Sequence, residues 1–169
     1  MMTYDELIEK LMNMNWFSNV GQFSRVDESK ISLPNFSAWD SATFSPDLDE
    51  KLASIAANMD WLPTTRDQID PVNGNKLKNE LKNIPNGKEM VMDAYKLAMK
   101  SLRNFDKSKF KSGSNDFSEA AKGSALYCVR MAAIESLICQ PGFWSELLDL
   151  YSDGYWPCGV LHNKIIVVY

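Results

Sequence analysis

The chain has 169 residues, 45% of them apolar and 24% charged, which is the balance of a globular protein and excludes a low-complexity or collagen-like one. That length fits one domain spanning residues 1–169, with enough chain to bury a sizeable core. The net charge of −4 is unevenly spread: 12 acidic and 5 basic residues over 1–70, 6 and 12 over 71–130, and 4 and 1 over 131–169. Such asymmetry points to a charged partner, unless folding mixes the segments into ordinary solvated faces.

The opening MMTYDELIEK is acidic and amphipathic, unlike a secretory leader. No apolar run approaches the roughly 18 residues of a membrane span. Cys128, Cys139 and Cys158 are odd in number, and with nine methionines they suit a reducing cytosol better than a disulfide scaffold. The expectation is therefore a cytoplasmic protein with no membrane association.

Thr3-Tyr4-Asp5-Glu6 forms a capping box, and Tyr4, Leu7, Ile8, Leu11 and Met12 keep the spacing of one helical face. This first helix should stop near Asn13 to Asn15. Trp16-Phe17-Ser18-Asn19-Val20-Gly21 then suits a tight, partly buried turn. Residues 22–36 read as extended or irregular. Ser37 can cap a short helix carrying Trp39. Ser45-Pro46 opens a helix with Asp47, Asp49 and Glu50 in its first turn and Leu48, Leu52, Ile55, Ala56 and Met59 inward. Pro63 ends it by Leu62.

Residues 63–75 read as a loop, followed by a modest helix over 76–84 cut off by Pro85-Asn86-Gly87. Val91, Ala94, Tyr95, Ala98 and Leu102 mark the inner side of a helix over 88–102. Residues 105–116 are polar, basic and rich in Gly and Ser, the composition of a mobile loop. Residues 120–139 read as the most buried helix, with only Lys122, Arg130 and Glu135 charged. Pro141 opens the last helix, with Phe143, Trp144, Leu147, Leu148 and Tyr151 inward and Gly154 at its end. Val160-Leu161 and Ile165-Ile166-Val167-Val168 then flank His162-Asn163 as in a β-hairpin. The fold expected is mainly α: a single-domain helical bundle of about six helices with a short C-terminal β-hairpin.

The chemistry-bearing residues are sparse. Cys158 and His162 have a ligand-like spacing that Cys128 and Cys139 could complete, but those two lie eleven apart on one helix, about 16 Å, so they cannot bind one ion together while that helix is intact. A buried small hydrophobe describes such cysteines better. His162 is the one histidine, so any Ser-His or Cys-His pair must use it; Cys158 is close enough in sequence to meet it across a hairpin, and no oxyanion-hole pattern accompanies the pair. A small hydrolase or transferase on Cys158/His162 is the enzyme alternative. Gly21, Gly74, Gly87 and Gly113 stand singly, so no phosphate cradle is formed. Neither metal nor cofactor is expected.

Lys96, Lys100, Arg103, Lys107, Lys109 and Lys111, with Phe105 and Phe110 interleaved, have the pattern of a phosphate-tracking strip. A nucleic-acid-binding module on residues 96–111 is thus a second alternative, weighed down by an overall pI near 5.0.

Asn15-Trp16-Phe17-Ser18-Asn19-Val20-Gly21 and Gly154-Tyr155-Trp156-Pro157-Cys158-Gly159, followed by Lys164-Ile165-Ile166-Val167-Val168-Tyr169, resemble the start and finish of a family of small bacterial cytosolic proteins. Its members are associated with polymorphic and contact-dependent toxins as immunity proteins. Its pattern opens on "WF.N.G" and closes on "G.WPCG…GK.IVY". Asn163 stands here where the pattern has Gly, and Val160 where it has an aromatic residue. The likeness covers roughly a quarter of the chain. It implies a non-enzymatic protein in which Trp16, Trp156 and the final strand form a common core seam, and whose partner is a cognate toxin domain. Many toxin nucleases are basic, so the acidic residues Asp47, Asp49, Glu50, Asp60, Asp67 and Asp70 are the expected partner-binding face.

Overall fold

A computed structural model describes residues 1–20, 26–32, 75–112, 115–116, 118–139, 142–161 and 164–168. This part is mainly helical. It holds five α-helices: α1 (Tyr4–Met12), α2 (Asn75–Leu81), α3 (Gly87–Ser101), α4 (Ser118–Leu137) and α5 (Phe143–Ser152). The helices expected at Ser37 and Ser45-Pro46 lie outside the described residues.

α1 begins as its sequence demands. The Thr3 hydroxyl accepts from the Glu6 amide, and the Glu6 carboxylate accepts from the Thr3 amide at 2.7 Å. Both halves of the box satisfy amides that the helix cannot. Leu7 and Leu11 are fully buried, whereas Met12, the last helical residue, is 62% exposed. The inward face is thus narrower than its apolar spacing suggests.

α4 is the central element, packed by α1, α2, α3 and α5. Met131 to Ser136 are buried without a break, so this helix is surrounded and not amphipathic. α3, which packs on both α1 and α4, buries Val91, Ala94 and Ala98, and Leu102 is buried in the short 3-10 turn that follows (Leu102–Asn104). α5 begins at Phe143, two residues later than the start expected at Pro141, with Gly142 as its extended N-cap and no side-chain cap bond from that residue.

Residues 105–112 are more organised than their composition suggests. The Asp106 carboxylate accepts from the Ser108 amide and hydroxyl, and Lys107–Phe110 turns as a 3-10 helix. The two-residue strands β2 (Lys111–Ser112) and β3 (Asn115–Asp116) then pair antiparallel.

The backbone of β4 (Trp156–Leu161) runs antiparallel to β5 (Lys164–Val168), and β1 (Val26–Ser32) pairs antiparallel with the other edge of β5. The turn expected at His162-Asn163 lies outside the described residues. Among the described residues, no helix is long and apolar enough to cross a membrane.

Candidate functional site

Trp16 and Phe17 bring the N-terminal turn onto the end of α5. Ser18 donates to the Asn15 carbonyl and Val20 to the Phe17 carbonyl, with Phe17 itself at φ 58°. Trp16 and Phe17 meet the Tyr151 ring edge-on at 5.9 and 6.0 Å. The Trp16 indole donates to Ser101 Oγ at 2.7 Å. Asn19 completes the join: its amide donates to the Gly154 carbonyl at 2.9 Å and its side chain to the Asp153 carbonyl at 2.6 Å. The two terminal stretches therefore meet in one seam.

Gly154 is required there. Its φ is +87°, and a Cβ would run into the Ser18 hydroxyl. Lys10 and Asp149, 2.6 Å apart, link α1 to α5 at the rim of the seam. That pair is partly solvated, so it orients more than it stabilises.

Beneath the seam, α4 supplies a polar knot. Ser124, 6% exposed, accepts from Tyr151 Oη at 2.9 Å and from Trp156 Nε1 at 3.1 Å, and donates to the Ala121 carbonyl. One hydroxyl thus fixes two large buried side chains, which would be costly to bury without an acceptor.

The second polar feature is Glu135, 3% exposed on α4. Its carboxylate accepts from the amides of Trp144 and Ser145, at 3.1 and 2.8 Å, and from the Ser145 hydroxyl at 2.9 Å. Here a residue from one helix caps the next, using its charge against the positive end of α5. Burial raises this carboxyl from its ordinary 4.5 to about 7, the three donors opposing that rise and Glu146 adding to it. Cys128, two turns earlier on the same face of α4, is fully buried and donates to the Trp144 carbonyl at 3.4 Å. Burial pushes its thiol well up, with Glu135 and Asp149 adding to the effect, so it is a packed thiol and no poised nucleophile.

Asp47, Asp49, Glu50, Asp60, Asp67 and Asp70, the expected partner face, lie outside the described residues, as does His162. Cys158 falls on the β4 backbone. Cys139 is exposed just beyond α4 at φ 54°. Among the described residues no group of three or more His, Cys, Asp and Glu could hold a metal.

Lys96, Lys100, Arg103 and Lys107 are exposed, as a phosphate-tracking strip requires. Phe105 does not serve that strip as a stacking platform. Its ring is half-buried and packs edge-on against Phe17 at 5.2 Å, inside the seam. The basic run therefore loses one of its two aromatic members to the core.

Ser124 and Glu135 escape a reading by motif. Glu135 had a signal, a lone acid on an otherwise apolar stretch of helix, while Ser124 among alanines reads as small filler. No protein-family model matches the chain, and no curated protein is similar to it.

Proposed function

We propose that this is a cytoplasmic, non-enzymatic immunity protein that binds and neutralises a cognate bacterial toxin domain. Its scaffold is a single domain of about six helices with a short C-terminal β-hairpin. The observation that carries the reading is the seam: the Trp16-to-Val20 turn and the Tyr151-to-Trp156 segment, which bear the resemblance, pack on each other from opposite ends of the chain. Residues that define a family by packing together belong to its scaffold. Partner choice then falls to exposed residues between the ends, and the acidic set Asp47, Asp49, Glu50, Asp60, Asp67 and Asp70 suits a basic toxin.

The test is co-expression with the C-terminal domain encoded by the adjacent upstream reading frame. Restored growth, together with a complex on size exclusion, is expected. Toxicity undiminished by the protein, with no complex formed, would overturn the reading. Given a complex, the Asp47/Asp49/Glu50→Lys variant should associate more slowly and with a shallower salt dependence, while charge reversal over residues 96–111 should change less. Equal rates and salt slopes for wild type and the triple variant would discard the acidic face.

A further inference from the structure

We propose that the outward face of α3 is a self-pairing surface, on which a second copy of this chain docks antiparallel across a two-fold axis near Lys96. α3 buries Val91, Ala94 and Ala98 on one side, where it packs on α1 and α4. Its other side carries Glu89, Asp93, Lys96 and Lys100, with Arg103 in the 3-10 turn that follows, and all five are exposed. Successive members are three or four residues apart, which sets them on one helical stripe about 21 Å long. The stripe is divided by sign, with its acids at the start and its bases at the end, as the helix dipole favours.

Such a stripe is complementary to itself when one copy is reversed. The midpoint between Glu89 and Arg103 is residue 96, and that between Asp93 and Lys100 falls between residues 96 and 97. One two-fold axis perpendicular to α3 therefore serves both pairs, and the symmetry repeats each of them. A parallel copy instead sets acid on acid and base on base, which repels. Lys96 falls beside the axis and meets its own mate. Asp93, 4.0 Å from it within the chain, offsets that repulsion.

Met92 adds apolar surface. It is 47% exposed on the flank of the stripe, at the height of Lys100 in the reversed copy, whose methylene stem it covers. Solvated ion pairs along a single helix make a small contact, so the dimer is weak and salt-sensitive. It uses none of the acidic residues proposed for the toxin, and the two surfaces are independent.

Sedimentation equilibrium of this chain, at concentrations up to about 1 mM, reads the association. Wild type should form a reversible dimer in about 50 mM salt, with a dissociation constant at least about tenfold larger in about 500 mM. Glu89→Lys/Asp93→Lys makes the stripe basic, and Lys100→Glu/Arg103→Glu makes it mostly acidic. Each variant alone should be monomeric, and an equimolar mixture of the two should form a heterodimer. A wild type that is monomeric in low salt overturns the pairing, whether or not it binds a single-stranded oligonucleotide through the same bases. Reversal variants that still dimerise, or a mixture that stays monomeric, overturn it too. Should a variant fail to fold, carbodiimide cross-linking of unlabelled wild type mixed with nitrogen-15-labelled wild type decides. A link from Asp93 of one copy to Lys100 of the other supports the pairing, and its absence overturns it.

Discussion

Replacing Gly154 by alanine tests the seam directly. The glycine sits at φ +87°, a conformation that costs an L residue about 1–2 kcal/mol. The new methyl would strike the Ser18 hydroxyl and come within 3.0 Å of the Asn19 amide nitrogen and 3.3 Å of the Asn15 carbonyl. Two of those atoms are backbone, so the N-terminal turn has to move. Moving it weakens the Asn19-to-Gly154 hydrogen bond, a further loss of about 1 kcal/mol. The sum is about 2–3 kcal/mol, or a melting temperature lower by about 5–10 °C for a domain of this size. Gly123 is the internal control. It is exposed within α4, and a Cβ there meets nothing within 4 Å. Gly123→Ala should therefore stabilise by about 1 kcal/mol through helix propensity alone. Thermal melts followed by circular dichroism separate the two. A Gly154→Ala protein melting at or above wild type would refute the seam.

Ser124→Ala removes the acceptor shared by Tyr151 and Trp156 and should cost about 2–4 kcal/mol in urea unfolding, since each buried donor loses a bond; a change within error would show that the knot is incidental. Deleting residues 165–169 strips most of β5, the middle of the three paired strands, and so unpairs both neighbours. That protein should be insoluble or unfolded, and a cooperative melt near the wild-type temperature would instead mark the tail as a surface feature.

What was legible in the sequence is what local spacing controls. Thr3 and Glu6 are three residues apart, and the capping box forms as their types dictate. Val91, Ala94 and Ala98 on α3, and Leu147, Leu148 and Tyr151 on α5, are buried at the positions their period assigns. Gly154 closes α5 at positive φ, as a glycine past a helix end should. What was not legible depends on partners distant in sequence. Phe105 reads as part of a basic run because its neighbours are Arg103 and Lys107, yet a short 3-10 turn carries it back to Phe17. Ser124 acquires its role only when Tyr151 and Trp156, 27 and 32 residues later, converge on it. Glu135 could be recognised as an odd acid on a buried helix, but its partners are set by where α5 begins. α5 begins at Phe143 behind Gly142, where a Cβ would collide with that carboxyl group.

These separations also order the assembly of the fold. The contacts between α4 and α5 are nearly local, with Glu135 only 10 residues from Ser145 and Cys128 16 from Trp144. The seam joins Asn19 to Asp153 across 134 residues. Closing the longer loop costs about 2 kcal/mol more in chain entropy than closing the shorter ones. The α4–α5 pair should then be formed when the folding barrier is crossed, and the seam should close afterwards. A seam variant such as Gly154→Ala would place its destabilisation almost wholly in faster unfolding, about 30-fold or more for 2 kcal/mol, with folding nearly unchanged. Ser145→Ala, which weakens the Glu135 cradle, should instead slow folding. Stopped-flow measurements of both limbs for the two variants provide the check. A Gly154→Ala protein that folds slowly and unfolds at the wild-type rate would place the seam in the nucleus and reverse the order.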